Sequence, residues 1–212
     1  MKKKLGLVVS ILCVALCAVV LSCASGGGGG GKSASDLGAN AFDVTGEYGT
    51  FDDHEAPNNG TSTAEITSAE ETIDGETATV YTITGNVTTK YIYGFCGWVV
   101  TPDEETFARF QKASGFSFKV LGDGKRYAIK YKTKECESDY CYYEYGFNTE
   151  PGVAVTIEVP IKFFQQPSWG QWKRLNQESV TGVEFQTHEN WRKSADSNPF
   201  EVKFWDFKVY TN

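Results

Sequence analysis

Between Gly115 and Gly170 apolar side chains recur at every second position in four successive runs. Phe116, Phe118 and Val120 share one face of the first run, and Tyr127, Ile129 and Tyr131 one face of the second. Tyr143, Tyr145 and Phe147 mark the third, and Val155, Ile157 and Val159 the fourth. A period of two with one apolar face predicts β-strands, and repeated strands of this kind predict two antiparallel sheets packed as a sandwich. The alternate positions carry Lys119, Lys130, Lys132, Tyr142, Glu144, Thr156 and Glu158. Such a face suits a polyhydroxylated ligand, and it is equally what any solvated outer sheet face shows.

Further strands are expected at residues 78–84 and 87–93, joined by a tight turn at Gly85-Asn86, with Asp74-Gly75 as an earlier turn signal. One short helix is predicted: Thr101 caps it, Pro102 occupies its first position, and Glu104 completes a capping box. Its apolar face is Phe107 and Phe110, and Gly115 closes it. Two last strands follow at 180–187 and 200–210. In the first, Glu184 and Gln186 alternate with Val183 and Phe185. In the second the apolar phase slips, which predicts a bulge near Trp205-Asp206.

The N-terminus departs from this pattern. Lys2, Lys3 and Lys4 precede an apolar run from Leu5 to Leu21, and Ser22-Cys23 follows. A basic start, a short apolar run and a small residue before cysteine resemble the signal peptide and lipobox of bacterial lipoproteins, with Cys23 as the lipidated residue. An ordinary secretory signal or a transmembrane anchor is the plainer alternative. The lipoprotein reading places the protein in the bacterial cell envelope, anchored to a membrane through palmitate-type lipid. Residues 23–41 contain six consecutive glycines, Gly26 to Gly31, and read as a flexible tether. The remainder, 42–212, is the size of one domain.

Charge excludes one class of partner. The chain carries a formal charge of −7, and removal of the signal with its three lysines takes it to −10. An acidic domain lacks the electrostatic footprint of nucleic-acid binding, whereas a neutral polysaccharide or oligosaccharide is indifferent to it. Of the domain's cysteines, Cys136 and Cys141 flank Glu-Ser-Asp-Tyr at the two ends of a short connection, which suits a disulfide in an exported protein. A reduced pair is the alternative. A metal site would lack ligands, with no histidine nearby. Cys96, between Phe95 and Trp98, reads as a small buried hydrophobe.

The order of the central signals carries a resemblance. Gly122-Asp123-Gly124 precedes a strand led by Tyr127, and a Tyr143-x-x-x-Phe147 strand comes next. A strand ending Val159-Pro160 then leads into Phe163-Phe164 and Trp169-Gly170. This set resembles the complex I intermediate-associated protein family and the similar family 11 carbohydrate-binding modules, and it implies a galactose-binding-like jelly roll. The resemblance implies a non-catalytic binding domain that takes a glycan on a polar, concave sheet face. Lys130, Tyr142, Glu144, Glu158, Glu184 and Gln186 would line that face. Trp169 and Trp172, from a Gly/Pro/Gln-rich loop, would stand at its edge with Gln166 or Arg174 beside them. Trp172 as a plug for the end of the sandwich is the alternative. The same resemblance implies a structural Ca²⁺ between the first and last strands, held by Asp53 with its neighbour Asp52 and by Asp206. Two alternatives belong to other classes: a protein-assembly factor for an envelope complex, and a glycoside hydrolase using two of Glu144, Glu158 and Glu184.

Overall fold

The structure is a computed structural model that describes residues 37–188 and 196–212. The expected signal peptide, Cys23 and the glycine run lie outside the described residues. Alternating patterns produce strands throughout: β1 (Asn40–Asp43), β2 (Gly46–Asp52), β3 (Thr63–Ile73), β4 (Glu76–Thr88), β5 (Cys96–Pro102) and β6 (Ala113–Leu121). After these come β7 (Arg126–Thr133), β8 (Tyr143–Asn148), β9 (Ala154–Pro160), β10 (Val180–Thr187) and β11 (Ser197–Thr211). One helix, α1 (Glu104–Phe110), links β5 to β6.

The strands form two antiparallel sheets, the sandwich that the alternation predicts and the jelly roll that the resemblance implies. The first has the order β3-β4-β11-β6-β9, with β1 also on β11; the second has the order β2-β5-β10-β7-β8. Their inner faces meet over an aromatic core. Trp98 stacks on Phe185 at 5.0 Å, and Phe118 meets Phe185 and Phe147 edge-on. Burial of such rings supplies the dominant driving force, and their offset and edge-on contacts fix the packing. Leu37 is buried and its carbonyl accepts from the Ser114 hydroxyl, so the folded chain begins within the stretch read as tether.

Two local expectations are corrected. The β3–β4 turn is at Asp74-Gly75, with φ of +52° and +86°, while Gly85-Asn86 lies inside β4. Gly85 serves packing: a Cβ there would stand 2.1 Å from the Thr63 carbonyl oxygen and 2.7 Å from the Phe200 ring. Thr101 and Pro102 end β5, and Asp103 is the cap of α1, accepting from the Thr106 amide at 2.8 Å. The carboxylate wins because it also accepts from the Thr45 hydroxyl at 2.5 Å, tying the helix to the β1–β2 connection. The bulge in β11 stands as expected: Asp206 has φ +52° and the register shifts between Trp205 and Lys208. That extra residue turns Phe207 and Val209 onto the same inner face as Val202 and Phe204.

Candidate functional site

Register places the outward side chains of the second sheet in rows. Val99, Glu184, Lys130 and Glu144 stand opposite one another across β5, β10, β7 and β8. Beside them runs a second row of Phe51, Gly97, Gln186, Ala128 and Gly146. The second row is built of small residues on three of its five strands, so the surface sinks there. The resulting depression is lined by Ala128, Lys130, Tyr142, Glu144, Trp169, Gln186, Thr187 and His188.

Lys130 organises it. The residue is only 3 % exposed, and its ammonium donates to the Gln186 side-chain oxygen. The Tyr142 ring lies over that ammonium, 3.6 Å from nitrogen to ring centre. Burying a charge is costly without such partners, and a desolvated cation gains more from a ring face than an exposed one does. The bond to Gln186 Oε1 fixes which way that amide is turned. Lys130 is therefore a positioning residue that holds Gln186 and Tyr142.

Trp169 supplies the wall. Its ring meets Tyr142 edge-on at 5.5 Å, and its indole N–H donates to the Tyr140 carbonyl at 3.4 Å. The loop carrying it is tied to the 3₁₀ segment Lys134–Asp139, where the Gln171 amide donates to Asp139 at 2.8 Å, and to β8, whose Tyr143 Oη donates to the Lys173 carbonyl at 3.1 Å. These contacts leave Trp169 39 % exposed, a held ring with an accessible surface. Hydrogen bonds from the Gln171 amide and then the Cys141 side chain hold the Asp139 carboxyl down at about 2. Ser179 and Asn176 do the same for Glu135, also to about 2.

Other expected residues separate. Glu158 is on β9, opposite Ser117 of β6, on the outer face of the other sheet. Alternation reports parity but not sheet membership, so Glu158 leaves the predicted set. Glu184 keeps the right face but pairs with Lys132 at 3.2 Å and does not line the depression. Trp172 is 82 % exposed and plugs nothing. Gln166 is spent on its own loop, donating to the Gln171 carbonyl at 2.7 Å and accepting from the Lys173 amide at 2.9 Å.

The calcium residues do not fit a shared ion. Asp53 is fully buried and accepts from the Ser62 amide and hydroxyl and from the Phe95 amide, a knot closing the β2–β3 connection. Asp206 lies in the other sheet, within ion-pair distance of Lys208 and Lys119. Among the described residues no group of three histidine, cysteine or acidic side chains gathers to hold a metal. Cys136 and Cys141 are both buried and are free thiols, where a disulfide was expected.

His188 continues the outward side of Glu184 and Gln186, as alternation implies, and lines the depression. Sequence reasoning missed one feature. At the far side of the same face, Phe51 lies across Gly97, its Cζ 2.8 Å from where a Cβ would stand. Phe51 meets Phe95 at 6.2 Å, Phe95 meets Tyr91 at 6.4 Å, and Tyr91 meets Tyr93 at 5.7 Å. The signal is the aromatic spacing of Tyr91, Tyr93 and Phe95; the strand expected at 87–93 covers the first two, but β4 ends at Thr88.

Residues 43–204 match the sequence profile of the Complex I intermediate-associated protein 30 (CIA30) family. The chain belongs to the CIA30 family. Among solved structures this CIA30 chain is similar to the family 11 carbohydrate-binding module of the cellulosomal cellulase Lic26A-Cel5E of Clostridium thermocellum. That match has 17 % identity and a TM-score of 0.54, over 81 % of this chain and 91 % of the module. It is also similar to the solution structure of CtCBM11, at 15 % identity and a TM-score of 0.52, over 85 % of this chain and 99 % of the other. At these identities the likeness establishes the shared jelly roll. No curated protein sequence matches the chain.

Proposed function

We propose that this CIA30 protein is a non-catalytic carbohydrate-binding protein that holds a neutral glycan on the outer face of its second sheet. The observation that carries the reading is the Tyr142–Trp169 wall beside Gln186 and Glu144. Aromatic faces receive the apolar faces of sugar rings, and a neighbouring amide and carboxylate exchange hydrogen bonds with hydroxyls. The aromatic group from Phe51 to Tyr93 bounds the same face on the other side. Likeness to carbohydrate-binding modules supports the reading. Against hydrolysis, Glu144 alone of the three glutamates lines the depression, whereas glycosidase chemistry employs two flanking carboxyls.

The N-terminal pattern supports attachment to a membrane of the bacterial envelope through lipid on Cys23. Metabolic palmitate labelling tests it: Cys23→Ala removes the label, and undiminished label on the variant rejects the anchor. A glycan array with residues 33–212, which retain Leu37, tests the binding reading. Selective retention of a neutral glycan supports it, and a blank array across neutral glycans rejects it. Family membership favours one other reading, a protein-assembly role at the same face, which a blank array with co-purification of an envelope protein supports.

A further inference from the structure

Beneath the Trp169 loop lie two thiols that the ligand face does not use. Cys136 and Cys141 are 1 % and 5 % exposed, at either end of a turn made by the 3₁₀ segment Lys134–Asp139 and by Tyr140, which has φ +58°. The turn is the seat of the loop. Asp139 receives the Gln171 amide, Tyr140 receives the Trp169 indole, and a Cβ on Gly170 would stand 3.0 Å from the Cys141 Cβ. Tyr142, the lid over Lys130, is the residue after Cys141.

We propose that Cys136 and Cys141 are a redox-convertible pair whose oxidation locks the seat of Trp169. The consequence for ligand rests on the glycan-binding reading; the chemistry does not. The thiolate of one cysteine attacks the disulfide of glutathione disulfide or of an exported thiol oxidoreductase. It forms a mixed disulfide and expels one thiolate of the oxidant. The second cysteine then attacks the first cysteine's sulfur, closing the Cys136–Cys141 bond and expelling the other thiolate. Two protons and two electrons leave the protein, and the oxidant carries them away as two thiols.

Burial sets the kinetics of this exchange. Desolvation, with the neighbouring Cys136 thiol, pushes the Cys141 thiol up to about 12, so the closed turn is unreactive and exchange proceeds through its opening. Once formed, the bond stops that opening, because the ring it closes spans the whole turn. The Trp169 loop then rests on a seat that no longer opens, and a preordered wall loses less freedom on binding.

The test uses the full-length protein, reduced with dithiothreitol or oxidised with glutathione disulfide. Mass spectrometry after alkylation and digestion should show loss of two hydrogens and one peptide pair joining positions 136 and 141. Hydrogen exchange at residues 165–173 should slow several-fold on oxidation, and Cys141→Ser should abolish that difference. The oxidised protein should also bind the array-selected glycan several-fold more tightly. Full alkylation of both thiols after oxidant treatment overturns the proposal, as does a bond that leaves exchange at 165–173 unchanged. If Cys141→Ser does not fold, the wild-type comparison and Cys136→Ser decide. If bond and exchange behave as expected while neither state binds any glycan, the redox pair stands and the glycan reading falls.

Discussion

On the outer face of the first sheet, cations meet acids directly. Lys119 pairs with Glu76, Lys203 with Glu71, and Lys208 with Asp206. Trp205 and Val80 are buried on that same outward parity, so the face has its own cover. On the outer face of the second sheet, Lys130 is sunk under Tyr142, and glycines and alanine leave a hollow beside it. The two faces arise from the same alternation of polar and apolar residues. What distinguishes them is where the charges go: into one another on the first, and into holding an aromatic lid and an amide on the second. A solvated face satisfies itself, whereas a binding face keeps partial satisfaction for something else.

Substitutions that act on one face only put this contrast at risk. Trp169→Ala should weaken affinity for the array-selected glycan at least ten-fold, which is about 1.4 kcal/mol, while Lys203→Ala on the other face changes nothing in the same calorimetric titration. Equal losses from both would dissolve the distinction.

Acid should loosen the second face selectively. Asp139 and Glu135 are held at about 2 in the folded protein against ordinary values of 3.8 and 4.5. Their folded-state values are depressed, so the stability they lend is present above pH 4.5 and lost as pH falls toward 2. Hydrogen exchange at residues 165–173 should accelerate across that window before the first sheet responds. Asp139→Asn should show part of this acceleration already at neutral pH.

Smaller effects sharpen the picture. Glu184→Gln should reduce glycan affinity only two- to three-fold, because Glu184 stands outside the hollow and its partner is Lys132. A larger loss would extend the site along β10. The Glu71→Gln, Lys203→Gln double variant should change urea stability by under about 1 kcal/mol, as partly exposed ion pairs do.

The strands from Gly115 to Pro160 were legible because their alternation is a direct image of one face packing and the other not. The bulge at Asp206 was legible for the same reason, since a phase slip has no other cheap explanation. Sheet membership was not: β6 and β9 read like β7 and β8, and only the β6–β9 pairing carried Glu158 to the other side. Gly85 misled because a glycine needed for a close ring contact looks, in one dimension, like a glycine needed for a turn. Thr101-Pro102 misled because a two-residue shift gave Asp103 a stronger bond to Thr45, a residue 58 positions away. The site was half visible: Tyr142, Lys130, Gln186 and Glu144 converge as parity implied and Trp169 joins them from its loop, whereas the Phe51–Tyr93 aromatics depend on a loop conformation that no periodicity encodes.

One feature of topology bears on how the molecule is made. β11 is central in the first sheet, flanked by β4 and β1 on one side and β6 on the other, yet it holds residues 197–211. During synthesis, strands β4 and β6 therefore wait, each with an unsatisfied edge, until these residues emerge from the ribosome. Nothing earlier in the described chain occupies that slot, so assembly of the first sheet is necessarily late and long-range, hence slow. A nascent chain in that condition needs protection from edge-to-edge association until β11 arrives.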